Sequence, residues 1–215
     1  MNEILPGLHH WRVVWPGIWS LESYFLQTEA GSVIVDPIES TGLDLIDATT
    51  DIQAVIVTVG WHERSRRLFG KRTRTPVFVP ELDLCMLEDL DSRKVYRDGD
   101  ILPGELRAIG APGLTRGENV LLSGTNGGTL FVGDCLGTTA KWAPDGMPIG
   151  GHPTGHPIPK DTLSHLLDLD FVNLCPGHGD PILGNGKQKL NELFQSGKST
   201  STGPQSVTYF PLHDV

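Results

Sequence analysis

The stretch Thr129-Leu130-Phe131-Val132-Gly133-Asp134 is a short apolar run that ends on glycine and a carboxylate, and Leu174-Cys175-Pro176-Gly177-His178-Gly179-Asp180 repeats the pattern with a histidine. An apolar run of this length, bounded by turn residues, predicts a buried strand. Each strand would present a polar side chain at its carboxyl end, Asp134 from the first and His178 from the second. Two such strand ends can meet at one sheet edge, so we expect Asp134 and His178 to share a site. Taken alone, each stretch is also compatible with a strand followed by an ordinary turn.

The composition is that of a globular chain with a net negative charge. The 215 residues are 38% hydrophobic and 20% charged, and the formal net charge is −9. This charge disfavours nonspecific binding to nucleic acid or to an anionic membrane surface. The sequence has no apolar run of about 18 residues that would predict a transmembrane helix, and residues 1–7 lack the features of a signal peptide. We therefore expect a soluble, cytoplasmic protein with no nucleic-acid or membrane partner.

The order of the predicted elements indicates two packed sheets with helices outside them. Residues 8–38 predict paired strands, and residues 54–59 form a nearly all-apolar strand, which is typical of a strand covered on both faces. Helices are predicted at residues 41–49, from a start within residues 60–67, and at residues 81–89, 160–169 and 187–194. Strands and helices in this order favour two sheets packed together between helices.

The chain is predicted to form one domain with a tail. We expect a single domain over residues 1–195. Residues 196–205 are rich in serine, threonine and glycine and have no apolar period, so residues 196–215 are predicted to be a flexible C-terminal tail.

Five motifs at predicted strand ends follow one another along the chain. They are Val35-Asp36-Pro37, the segment from Thr58 to Arg64, the segment from Pro112 to Gly117, Gly133-Asp134, and Pro176-Gly177-His178-Gly179. In this order they resemble the motifs of the metallo-β-lactamase superfamily, over roughly residues 18–190. The resemblance implies an α/β protein, an αββα sandwich of two similar halves with the site at one edge.

The metal ligands implied by the resemblance are mostly replaced. In the second motif, Val59 and Trp61 stand for two histidines, Glu63 for the aspartate and Arg64 for the last histidine. In the third motif, Leu114 stands for the histidine. Asp134 and His178 remain. Valine, tryptophan and leucine offer no lone pair to a metal, arginine is a fixed cation, and zinc sites use about three or four ligands. The resemblance therefore implies a degenerate metal site, with no zinc or substoichiometric zinc.

Other side chains offer two ways to complete a three-ligand site with Asp134 and His178. His62 lies one position from the pattern and would turn inward through a register shift or a bulge. His152 or His156 would fold over from a loop rich in glycine and proline.

Cys135 and Cys175 have two interpretations, as soft metal ligands or nucleophiles beside the site or as buried structural thiols. Cys85, Cys135 and Cys175 are widely spaced and form no Cys-x-x-Cys pair, so neither a zinc knuckle nor a disulfide framework is predicted. Cys135 and Cys175 adjoin residues expected to point into the site, and neighbours in a strand point to opposite faces. We therefore expect both to be buried, reduced, structural thiols.

Two classes of function are consistent with these residues. The first is a binding or regulatory descendant of a hydrolase, with a pocket lined by Trp61, His62, Glu63, Arg64 and Leu114 that takes a small, anionic ligand. In this hypothesis Arg64 pairs with Asp134 or Glu63 in place of the metal charge.

The alternative is an enzyme, a metal-dependent hydrolase of an ester, thioester or similar bond. It would use a reduced, mononuclear site made by Asp134, His178 and His62, or Asp134 and His178 would act as a metal-free acid/base pair. A third hypothesis is a purely structural partner in a homo-oligomer.

Overall fold

The computed structural model describes residues 1–14, 20–62, 64–86, 93–112, 115–139, 147, 149–150 and 163–196. The strands are β1 (Asn2–Leu5), β2 (Leu8–Val14), β3 (Ser20–Thr28), β4 (Gly31–Val35), β5 (Ile52–Ile56), β6 (Val77–Pro80), β7 (Arg93–Tyr96), β8 (Ile101–Leu102), β9 (Leu106–Gly110), β10 (Asn119–Ser123), β11 (Thr129–Gly133) and β12 (Asn173–Pro176). The α-helices are α1 (Asp44–Ala48), α2 (Arg66–Thr73) and α3 (Gly186–Gln195). Short 3-10 helices cover Glu81–Met86, Pro103–Glu105, Thr125–Gly127 and Ser164–Asp168.

The described strands form two sheets. One sheet has seven strands in the order β1-β2-β3-β4-β5-β6-β7, and the other has five in the order β12-β11-β10-β9-β8. The pair β4 and β5 is parallel in the first sheet, and the pair β11 and β12 is parallel in the second. Because parallel strands end at the same edge, each sheet brings two carboxyl-terminal strand ends together.

Both faces of the central strands are buried. Val33 of β4 and Phe131 of β11 belong to an apolar cluster between the sheets, whereas Ile34 belongs to a cluster shared with α1 and α2. Leu166 and Leu190 cover the outer face of the second sheet from the 3-10 helix and α3. Strands that are covered on both sides read as continuous apolar runs, which is why the sequence lacks alternation there. The layers are helix, sheet, sheet and helix, so the predicted αββα sandwich is confirmed.

Three of the five predicted helices form as α-helices, and two take a tighter form. Helix α2 follows the start predicted within residues 60–67. The segment predicted at residues 81–89 contains a 3-10 helix at Glu81–Met86, and residues 87–89 lie outside the described part. Helix α1 lies within the predicted segment 41–49, and α3 covers the predicted segment 187–194. The segment predicted over residues 160–169 contains a 3-10 helix at Ser164–Asp168, and residues 160–162 lie outside the described part. Leu163, Leu166 and Leu169 are all buried at a spacing of three, which matches the three residues per turn of a 3-10 helix.

The predicted tail and domain boundary stay predictions. Residues 197–215 lie outside the described part of the chain, and α3 ends at Gln195. Among the described helices, none combines the length and apolar character needed to span a bilayer.

Candidate functional site

Four strand ends supply the polar side chains of the site. Asp134 follows β11 and His178 follows β12, and the register pairs Leu130 with Leu174 in parallel. The two side chains are buried, and Nε2 of His178 lies 3.2 Å from Oδ1 of Asp134. The strand-end pattern predicts this meeting. In the facing sheet, Asp36 follows β4 and the segment carrying His62 follows β5, so both sheets contribute to one edge.

His62 occupies the centre of the site. Its Nε2 lies 2.7 Å from Oδ1 of Asp134, and its Nδ1 lies 3.0 Å from Oδ2 of Asp36. The ring can approach this closely because Gly177 has no side chain: a Cβ there would lie 2.9 Å from Cε1 of His62. The inward orientation of His62, one of the two alternatives open from the sequence, is present in the structure, and the other alternative, His152 or His156, lies outside the described residues.

A second ring of hydrogen bonds holds Asp36 in place. The Thr58 amide donates to Oδ1 of Asp36 at 2.9 Å, and the Thr58 hydroxyl donates to Oδ2 at 2.6 Å. These bonds fix the carboxylate that faces Nδ1 of His62. Asp36 itself has a left-handed backbone, with φ +46°, a conformation that aspartate tolerates better than most residues.

The electrostatics of this group favour an imidazolium between two carboxylates. Burial lowers the pKa of His62 and so does the charge of Arg64, but Asp134 and Asp36 outweigh both and raise this pKa from 6.5 to about 9. Burial raises the pKa of Asp134, yet the charges of His62 and His178 hold it well below its usual range. Burial likewise raises the pKa of Asp36, and His62 and Arg64 bring it below its usual value. With both nitrogens protonated, His62 donates to both carboxylates.

His178 is oriented by the backbone of β3. Its Nδ1 lies 2.7 Å from the Ser20 carbonyl oxygen, which can only accept, so Nδ1 carries the proton and Nε2 faces Asp134. The Gly179 amide beside it lies 3.1 Å from the Ser20 hydroxyl and 3.2 Å from Oε1 of Glu22. The last motif is therefore attached to the start of β3, in the facing sheet.

Arg64 reaches into the same edge but does not pair with Asp134. Its Nη1 donates to the carbonyl oxygens of Glu22 at 2.6 Å and Asp36 at 3.1 Å, and its Nη2 donates to that of Gly177 at 3.1 Å. Among the described residues, its side chain has no carboxylate partner, so the Asp134 alternative of the predicted pair is wrong, and the Glu63 alternative lies outside the described residues. The reason is that His62 already supplies the cation beside Asp134, while three carbonyl oxygens converge on the guanidinium.

The other predicted pocket residues are partly described. Trp61 is half-buried on the turn that carries His62. Glu63, Leu114, His152 and His156 lie outside the described residues.

The cysteines are structural, as predicted. Cys135 and Cys175 are buried, and Sγ of Cys135 lies 3.1 Å from the Val132 carbonyl oxygen. Burial raises the pKa of both thiols above the ordinary range, so neither is a reactive thiolate.

Two buried carboxylates beside the site were missed from the sequence. Asp83 accepts hydrogen bonds from the Gly60 amide at 2.7 Å, the Thr115 hydroxyl at 2.7 Å and the Gly117 amide at 3.0 Å, so it joins the loops of the second and third motifs. Glu22, also buried, lies 2.6 Å from Nε2 of His10 and 2.8 Å from Nε of Arg12. The alternation of β2 and β3 could have indicated the second group, because Arg12 and Glu22 are cross-strand partners. No pattern in the sequence indicated the Asp83 group.

Comparison with known proteins identifies the fold. No protein-family model and no curated protein matches the sequence. A metallo-β-lactamase family protein from Thermus thermophilus aligns with a TM-score of 0.63 and 20% identity, over 90% of this chain and 80% of that chain. A metallo-β-lactamase from Hirschia baltica aligns with a TM-score of 0.65 and 16% identity, over 94% and 98%. The Flv1 flavodiiron core from Synechocystis aligns with a TM-score of 0.67 and 14% identity, over 91% and 59%.

The chain has the metallo-β-lactamase fold. At these sequence identities the structural similarity establishes the fold alone. The fold implied by the five sequence motifs is therefore confirmed.

Three of the described residues at the ligand positions implied by the sequence resemblance have no side-chain donor for a metal. Val59 is apolar and fully buried, and Trp61 offers no lone pair. Arg64 is a fixed cation whose Nη2 lies 3.0 Å from Nε2 of His62.

Three side chains nevertheless have the donor set of a single-ion site. His62, Asp134 and His178 each offer one ligand atom, and these atoms lie within 4.8 Å of one another. Asp36 and the Ser20 carbonyl hold the two Nδ1 atoms, an arrangement typical of metal-binding histidines. If an ion were bound there, it would supply a Lewis acid and lower the pKa of a bound water.

Proposed function

We propose that this chain is a binding or regulatory descendant of metallo-β-lactamase-fold hydrolases, with little metal-dependent activity. The observation that carries the proposal is the position of Arg64, whose Nη2 lies 3.0 Å from Nε2 of His62, the atom that a metal would have to bind. Two unit charges 4 Å apart interact by about 4 kcal/mol at an effective dielectric constant of 20, so a dication would be repelled by about 8 kcal/mol. This repulsion is a large fraction of the binding free energy of a structural zinc ion, about 10–16 kcal/mol.

The two carboxylates that face His62 are already offset by positive charges without a metal. The imidazolium of His62 and the guanidinium of Arg64 offset Asp36 and Asp134 before any charge on His178 is counted. An ion with two further charges would have to expel the His62 proton. This balance supports a degenerate metal site and is the reason we expect substoichiometric zinc.

The half-buried part of the site suits a small, anionic ligand. Trp61 and Arg64 are both partly accessible, so an apolar surface and a cation are available at the same edge. Such a ligand would stack on Trp61 and place its acidic group near Arg64. A cytoplasmic location, a homo-oligomeric state and the lack of nucleic-acid or membrane partners remain predictions from composition.

Elemental analysis tests the proposal. Protein purified without chelator is analysed for zinc, iron and manganese, and the same preparation is titrated with zinc while its melting temperature is followed. We expect far less than one metal ion per chain, and we expect that added zinc does not raise the melting temperature. One tightly held ion per chain, lost on replacing His178 by alanine, would reject the proposal.

A single-ion hydrolase is the second candidate, and the convergence of His62, Asp134 and His178 favours it. Its test is hydrolysis of ester and thioester substrates with and without added zinc. Activity that depends on zinc and disappears in both His62→Ala and His178→Ala would establish this candidate instead.

A further inference from the structure

The guanidinium of Arg64 joins three backbone segments from both sheets. It contacts the carbonyl oxygen of Glu22 within β3, that of Asp36 after β4, and that of Gly177 after β12. Strands β3 and β4 belong to the seven-stranded sheet, and β12 belongs to the five-stranded sheet. A bound metal ion joins strand ends in the same way, through ligands from separate segments.

The backbone at Arg64 is held in a conformation that supports this contact. Its φ is +31°, in the left-handed region, which costs free energy for a residue other than glycine. Such a conformation persists only when the surrounding contacts outweigh its cost. The three donor contacts of the side chain, all to carbonyl oxygens at 3.1 Å or less, support this conformation.

The same side chain blocks the donor trio. Nη2 of Arg64 lies between the Gly177 carbonyl oxygen, at 3.1 Å, and Nε2 of His62, at 3.0 Å. An ion bound to His62, Asp134 and His178 would lie next to this positive charge. Removing Arg64 would therefore remove a cross-link and expose an intact set of three metal donors at once.

We propose that Arg64 replaces the metal as the cross-link of this site and keeps zinc from binding to His62, Asp134 and His178. This inference rests on the proposed function, because it requires that the natural chain holds no stoichiometric metal. It predicts that one substitution converts a metal-free protein into a zinc protein.

The experiment compares Arg64→Gln with the natural chain and with Arg67→Gln. Arg67 is an exposed arginine three residues away in α2, so it is a matched control for the loss of one positive charge. Each protein is refolded and melted in EDTA and in zinc, its zinc content is measured, and cobalt(II) is added as a spectroscopic probe of the ligands. A double variant, Arg64→Gln with His178→Ala, shows whether any ion gained uses the trio.

We expect Arg64→Gln to melt at a lower temperature than the natural chain in EDTA and to recover in zinc. Its zinc affinity should rise by about 100-fold or more, because the repulsion from the guanidinium is gone. The zinc content of Arg64→Gln should approach one ion per chain, and added cobalt should give visible ligand-field bands. The double variant should show neither the bound zinc nor the cobalt bands. Arg67→Gln should gain no zinc and should show no rise in melting temperature when zinc is added.

Three results would overturn the inference. They are an Arg64→Gln variant that melts in EDTA as the natural chain does, one that gains no zinc, and one that fails to fold even with zinc present. Stoichiometric zinc in the natural chain would instead reject the proposed function. The zinc content of the natural chain therefore tests the proposed function by itself, whereas the Arg64→Gln variant tests the further inference.

Discussion

The buried imidazolium of His62 makes the stability of this protein depend on pH in the alkaline range. The site raises the pKa of His62 from 6.5 to about 9 in the folded chain. The folded state therefore binds one more proton than the unfolded state between these two pH values. The stabilisation is fully present below pH 6.5 and is lost as the pH rises to about 9. At 1.36 kcal/mol for each pKa unit, the total loss is about 3 kcal/mol.

Urea denaturation at a series of pH values from about 6 to about 9.5, with EDTA present throughout, measures this loss. His62→Gln keeps a polar side chain but cannot titrate, so its free energy of unfolding should be lower at the acidic end and nearly flat across the series. His165→Gln is the control, because His165 lies in the 3-10 helix at Ser164–Asp168, away from the site. This control should keep the slope of the natural chain. A natural chain whose slope equals that of His62→Gln would refute the imidazolium and, with it, the charge balance proposed for the site.

Three further predictions concern the frame of the site and the tail. Asp83→Ala leaves two loop amides and a hydroxyl without their acceptor, so it should lower the free energy of unfolding by about 3 kcal/mol in urea; a loss under about 1 kcal/mol would contradict the clamp between the two motif loops. Gly133 has φ +49°, and a Cβ there would lie 2.4 Å from the Thr58 hydroxyl oxygen, so Gly133→Ala should cost about 2 kcal/mol or more. Gly124→Ala meets no atom within 4 Å and should change stability by about 0.5 kcal/mol at most; equal effects of the two alanines would contradict the steric reasoning. Deleting residues 196–215 should leave the melting temperature nearly unchanged, and a large drop would show that the tail docks.

The fold could be predicted because its determinants are local and ordered. Asp36, Asp134 and His178 each follow an apolar run at a strand end, and the parallel pairing of those strands brings the ends together. Topology fixes where such a side chain lies, whatever its neighbours in sequence are. Asp134 and His178 could therefore be placed in one site without any structure.

The rest of the site depends on loop conformation, which the sequence does not encode by a simple period. His62 and Arg64 lie in an irregular turn between β5 and α2, where alternation no longer assigns a side chain to one face. The positive φ of Arg64 turns its side chain toward carbonyl oxygens, and no pattern marks a carbonyl oxygen as a partner. The Arg64–Asp134 pair was a natural expectation from charge alone. It was wrong because a nearer cation, His62, was available.

The bonds of this edge join residues that are far apart in the chain. His62 and Asp134 are separated by 72 residues, and Ser20 and His178 by 158 residues. Contacts of such long range carry a large loop-closure cost and tend to form late in folding. Substitutions at this edge should therefore accelerate unfolding and leave the folding rate nearly unchanged. The polar edge would thus determine how long each folded molecule lasts, whereas the sheets determine how quickly it is made.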